Sequence, residues 1–184
     1  MDMTTGKIQT KDIAYIGLFT ALLAICSWIS FPLPSRISVT LQTFGLFSAM
    51  GVLGGRRGTL AVTAYLLLGL AGAPVFAGFS GGIGAYLTPS GGYLVGFLFT
   101  ALLMWGMERL LGQKKWVLLL SMVLGMIVYY AFGTAWFMVA YARSEGVVGL
   151  LTVLVWCVFP YLVPDCVKLA LAWLLSDKLR HHVK

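Results

Sequence analysis

From Trp116 to Ala142 the chain runs for 27 residues without a formal charge. A helix of that length rises about 40 Å, more than the roughly 30 Å hydrocarbon core of a bilayer, so it can cross with a tilt. The rest of the chain agrees: 60% of its 184 residues are hydrophobic and 10% are charged, against roughly a quarter charged in soluble domains. No polar linker divides it, which predicts one transmembrane domain over residues 1–184.

Turn and breaker residues divide that domain into segments. The first runs from about 12 to 31 and stops at Pro32-Leu33-Pro34. The second, 40–53, is reversed by Gly54-Gly55-Arg56-Arg57-Gly58, and the third is 59–70. Both are short for spanning helices, a pattern found where transporter helices break around a binding site. Then come 93–111, 116–142 and 160–175, with a brief apolar piece from Val147 to Val158 read as a half-helix. The predicted fold is all-α and polytopic, with six transmembrane helices.

Between helices three and four lies Gly72 to Gly92, with seven glycines, two prolines and no charge. That glycine content excludes a continuous helix. Yet Val75, Phe76, Phe79, Ile83, Tyr86 and Leu87 make it too apolar for a solvated loop. It reads as a lid folded back over a cavity, or as a loop dipping into the headgroup zone.

The net charge of +7 raises nucleic acid as a partner, and its distribution argues against one. Ten bases (Lys7, Lys11, Arg56, Arg57, Arg109, Lys114, Lys115, Lys178, Arg180, Lys184) fall at segment ends on one side of a six-crossing topology; Arg36 and Arg143 fall on the other. The positive-inside rule then makes both termini cytoplasmic, with the bases against lipid headgroups. The polar start, Met1 to Thr10, and the lack of a small-residue cleavage site after the first apolar run predict a retained first helix.

Within the last segment, Asp165 and Lys168 interrupt an apolar run. An ionisable group in hydrocarbon costs about 2.5 to 3.5 kcal/mol and usually faces a partner or a polar cavity. Residues three apart share a helix face, so the two can neutralise each other and still offer hydrogen bonds to a solute. The alternative is structural: Pro160 and Pro164 mark a helix start, Asp165 is a first-turn acid favoured by the helix dipole, and Lys168 is its counter-ion. In the predicted orientation the pair lies in the outer half of its helix, on the side of the glycine-rich stretch.

Several chemistries are excluded. Gly78-Phe79-Ser80-Gly81 matches the G-x-S-G pattern of rhomboid-type serine proteases, but the only histidines, His181 and His182, lie in the tail on the opposite side. That pair lacks the carboxylate or thiol support of a metal site. No G-x-x-x-x-G-K-[ST] is present, so ATP hydrolysis would belong to another chain. Cys26, Cys157 and Cys166 lie in apolar runs without metal spacing and read as buried thiols.

Five stretches, in order along nearly the whole chain, resemble the BioY family. They are Ser38-Val39-Thr40-Leu41-Gln42-Thr43-Phe44; Arg56-Arg57-Gly58 with Tyr65-Leu66-Leu67-Leu68-Gly69; Pro74-Val75-Phe76-Ala77-Gly78; Pro89-Ser90-Gly91-Gly92-Tyr93-Leu94-Val95-Gly96-Phe97; and Pro164-Asp165-x-x-Lys168. These are the biotin-specific substrate-binding (S) components of energy-coupling-factor (ECF) transporters. The resemblance implies a six-helix fold in the bacterial cytoplasmic membrane that takes biotin from outside without a cofactor. It also implies docking through the first helices to a transmembrane coupling subunit carrying two ATPases; by analogy Gly17, Ala21 and Ala24 would form that face. Independently, small residues so spaced allow close helix approach, in docking or in packing.

Biotin would suit the expected pocket. Asp165 as acceptor and Lys168 as donor match its ureido ring. Phe79, Tyr86 and Tyr93, with Trp136 beside them, could wall its apolar parts. Gln42 and Ser80 could add neutral hydrogen bonds, and Gly81 and Gly82 permit close backbone approach. For the ligand carboxylate the candidates are Arg36 and Arg143. The competing function is a self-sufficient secondary transporter or facilitator of biotin or another small vitamin, with the Asp165 and Lys168 pair carrying protons.

Overall fold

The computed structural model describes residues 9–31, 39–144 and 146–183. Its main elements are eight helices: α1 (Thr10–Trp28), α2 (Gln42–Leu53), α3 (Gly55–Leu70), α4 (Ile83–Leu87), α5 (Gly91–Leu111), α6 (Lys115–Ser144), α7 (Leu150–Cys157) and α8 (Phe159–Val183). Four of them, α1, α5, α6 and α8, are long and apolar enough to cross a membrane. Leu18, Ile25, Leu102, Ile127, Val167 and Leu171 stand exposed on them, as residues facing lipid do.

The short α2 is the core. Eleven of its twelve residues are buried, and it packs on α1, α3, α5 and α8. Burial on all sides explains why it is apolar without being amphipathic. At its end a single residue, Gly54 (φ 81°), reverses the chain and α3 begins at Gly55. The five-residue turn read from the sequence therefore shrinks to one glycine, in a left-handed conformation that suits a residue without Cβ. Around this reversal the bundle end is fastened by ion pairs. Arg57 Nη2 lies 2.9 Å from Asp12 Oδ1 and Arg180 Nη2 lies 3.2 Å from Glu108 Oε1. Glu108 Oε2 also accepts from the Gly55 amide at 2.6 Å, and Gln113 donates to Oε1.

The first helix stops at Trp28, three residues before the expected 31. Its last carbonyls turn to other partners: the Leu41 amide donates to Cys26 O (3.0 Å) and Ile29 O (3.2 Å). Ser30–Phe31 (β1) then pairs antiparallel with Val39–Thr40 (β2), Ser30 opposite Thr40. The Pro32-Leu33-Pro34 breaker lies outside the described residues.

The last segment differs most. Pro160 does sit in the first turn, but α8 begins at Phe159 and has no acid in that turn. Pro164 lies inside the helix, where it removes the bond to the carbonyl of Pro160. Asp165 is thus a second-turn residue turned to the core, which overturns the helix-start reading. The helix also outruns its expected end at 175 and continues to Val183. Cys26 and Cys157 are buried as expected, whereas Cys166 is exposed.

Candidate functional site

The glycine-rich connection of residues 71–90 is ordered by one plug. Phe76 is 2% exposed, with its ring edge-on to Tyr65 (5.4 Å) and Tyr86 (5.5 Å). From there the chain makes a 3-10 turn at Ala77–Phe79 and then α4. Two indoles pin the connection: Trp28 Nε1 donates to Pro74 O (2.9 Å) and Trp136 Nε1 to Thr88 O (3.1 Å). Ser27 Oγ donates to Val75 O (2.5 Å). The Gly82 amide donates to Gly69 O at 2.6 Å, and the Tyr86 hydroxyl to Leu66 O at 2.6 Å. Burial pushes the Tyr86 phenol up to about 12, so it remains a donor at neutral pH.

Beneath this connection is a cavity of about 640 Å³, within the range of small-molecule sites. It lies at the bundle end opposite Gly54. One wall comes from the connection: Phe76, Ala77, Gly78, Ser80, Gly81, Gly84, Ala85 and Thr88. Ser30, Thr40, Gln42 and Thr43 form the side at the start of α2. Tyr93, Leu94, Phe97 and Tyr129 come from α5 and α6, and Cys157, Tyr161, Asp165 and Lys168 from α7 and α8.

Asp165 and Lys168 are 2% and 7% exposed. Lys168 Nζ donates to Asp165 Oδ1 at 2.7 Å, and so does Thr43 Oγ1 at 3.0 Å. The hydroxyls of Tyr130 (2.6 Å) and Tyr129 (3.2 Å) donate to Oδ2. A buried ion pair is tolerated when its remaining hydrogen-bonding capacity is met, and here the carboxylate has four donors. Gln42 is likewise oriented: its Nε2 donates to the Tyr65 hydroxyl (2.6 Å), and its Oε1 accepts from Thr40 (3.0 Å).

The structure therefore brings together Asp165, Lys168, Gln42, Ser80, Gly81 and Tyr93 from the sequence-derived set. It places the others elsewhere. Phe79 is 64% exposed and stacks on Trp28 (5.2 Å) outside the cavity. Tyr86 turns its hydroxyl to α3, and Gly82 and Trp136 are off the wall. Arg143 is exposed at the end of α6, and Arg36 lies outside the described residues. On α1, Gly17 and Ala21 are exposed, but Ala24 is 7% exposed and packs in the core.

The sequence reading missed Thr43, Tyr129 and Tyr130, the neutral donors to Asp165. Thr43 adjoins Gln42 in a stretch already singled out. The tyrosine pair stood inside the charge-free run as adjacent hydroxyl-bearing residues, the one signal available.

The sequence profile of the BioY family matches residues 2–184. The chain belongs to the BioY family. Among its curated relatives, the "Biotin transporter BioY" of Thermotoga maritima is 39% identical over 92% of this chain and 96% of that one. The "Probable biotin transporter BioY" of Pyrococcus horikoshii is 35% identical, covering 94% and 98%. A crystal structure of the S-component for biotin from an ECF-type ABC transporter superposes with a TM-score of 0.82 at 30% identity, covering 93% of this chain and 91% of that chain. As a BioY protein the chain is integral to the membrane and is a transport component, not an enzyme.

Proposed function

We propose that this chain captures biotin at the outer face of the cytoplasmic membrane as the substrate-binding subunit of an ECF-type transporter. The observation that carries the reading is a vitamin-sized cavity whose polar side is an acid-base couple, Asp165 and Lys168, with the carboxylate held by four donors, the ammonium being one of them. Lys168 offers its remaining N–H groups to the ureido carbonyl. Gln42 and Ser80 supply neutral polar contacts, Tyr93 with Phe76 and Phe97 supplies apolar surface, and Gly81 admits close backbone approach.

The same reading includes six crossings, with α2 and α3 as the two short ones, and both termini in the cytoplasm. It makes residues 72–92 a lid over the bound solute. A coupling subunit with two ATPases supplies the energy, docking along α1 where Gly17 and Ala21 leave a shallow surface; at Gly17 an added Cβ meets nothing within 4 Å. Buried Ala24 contributes to the bundle and not to that face.

Mass spectrometry of the small molecule that co-purifies with the protein tests the reading, followed by titration of the emptied protein with biotin. Recovery of biotin and saturable one-to-one binding are expected; a different ligand, or no binding, overturns it. Uptake into vesicles that requires the added coupling and ATPase subunits supports the ECF assignment. Uptake by this chain reconstituted alone assigns it instead to self-sufficient transport.

A further inference from the structure

A carboxylate offers about four lone-pair positions. In Asp165 they are taken by Thr43 and Lys168 on Oδ1 and by Tyr129 and Tyr130 on Oδ2. A solute entering the cavity therefore meets the groups that Asp165 holds, while the carboxylate itself is satisfied.

That saturation fixes the polarity of the wall. A hydroxyl has one proton, and one that is donating to a carboxylate can only accept from anything else. Of the three hydroxyls bound to Asp165, those of Thr43 and Tyr129 belong to cavity-wall residues, while Tyr130 is not among the lining residues. Lys168, also on the wall, is the converse case, since an ammonium has donors and no acceptor. One ionised side chain thus sets two acceptor oxygens and one cationic donor around the same corner.

We infer that Thr43 and Tyr129 are specificity-determining residues, each accepting one N–H of the ligand, and that Asp165 is a positioning residue that makes them acceptors. The inference rests on the biotin reading and deepens it. A urea has one carbonyl oxygen flanked by two N–H groups, which matches one donor, Lys168, and two acceptors. A lactone, a thioether or a carboxylate presents no N–H to those oxygens. A site that hydrogen-bonds specific groups rejects analogues lacking them strongly, because its own buried polar atoms are then left unpaired.

The test is a set of double-mutant cycles on the detergent-purified full chain. Biotin and its two mono-N-methylated ureido isomers are titrated against the wild type, Thr43→Val, Tyr129→Phe and Tyr130→Phe, each first checked for a monodisperse elution profile. For the wild type, each methyl group is expected to cost at least tenfold in affinity. Thr43→Val is expected to reduce the penalty for one isomer to under threefold, and Tyr129→Phe that for the other. Tyr130→Phe, which touches Asp165 from outside the wall, should weaken all three ligands by the same factor. A full methylation penalty retained in Thr43→Val or in Tyr129→Phe overturns the assignment of that residue. A wild type that does not bind biotin overturns the transport reading itself, and this inference with it.

Discussion

The ring of Phe76 lies against Gly69, in the space that a side chain at position 69 would occupy. Through this contact the glycine-rich connection is bolted to α3, and the cavity beneath it keeps its shape. Gly→Ala in an exposed helix normally stabilises by about 1 kcal/mol, and Gly17→Ala, with open space around it, should do so. Gly69→Ala is expected to do the opposite and to lower both thermal stability in detergent and biotin affinity. Phe76→Ala, which empties the plug, should cost about 3 to 5 kcal/mol. Thermal melts of the three variants check this; a Gly69→Ala protein as stable as Gly17→Ala would remove the bolt.

Asp165→Asn places an amide NH₂ where four donors converge, so at least one contact must be lost or reversed. Biotin affinity is expected to fall at least tenfold, about 1.4 kcal/mol or more, while the protein still elutes as a folded species. Isothermal titration reads the change directly, and an unaltered affinity would count against any role for the couple.

Bound biotin should protect residues 76–88 from protease or from labelling at introduced cysteines. Trp28→Ala removes the bond to Pro74 and the stack on Phe79, so this variant should raise labelling of the stretch in the empty protein. Equal labelling with and without ligand would dismiss the lid.

At the far end of the bundle, Glu108→Gln breaks the ion pair with Arg180 and weakens the hold on the Gly55 amide. Hydrogen bonds to charged groups contribute about 1.5 to 3 kcal/mol, so a loss of that order is expected in chemical unfolding. Biotin affinity should stay within twofold, since Glu108 does not line the cavity. A large affinity loss would show instead that the two ends are energetically linked.

What the sequence revealed and what it hid have separate physical causes. Asp165 and Lys168 were legible because charge in hydrocarbon is costly enough to demand a reason, and the four membrane-length helices because apolar length is nearly a ruler. Thr43, Tyr129 and Tyr130 were not, since hydroxyls are cheap to bury on a helix and carry no periodic mark. Phe76, Phe79 and Tyr86 all belong to one aromatic-rich stretch. Which of them turns inward was decided by the notch at Gly69 and the left-handed Gly78 and Phe79 (φ 67° and 55°), a backbone path that composition does not encode. Ala24 shares a nominal face with Gly17 and Ala21, but the neighbour that covers it cannot be seen from α1 alone.

The burial of α2 bears on how any solute could leave the cavity. The helix rises only about 18 Å, yet it fills the middle of the bundle from Gln42 and Thr43, on the cavity wall, down to the Gly54 reversal. A molecule resting on its upper end faces a helix whose residues are buried along almost its whole length. On the proposed transport reading, delivery to the opposite compartment displaces this packed helix, whether the bundle shifts bodily in the bilayer or its helices part.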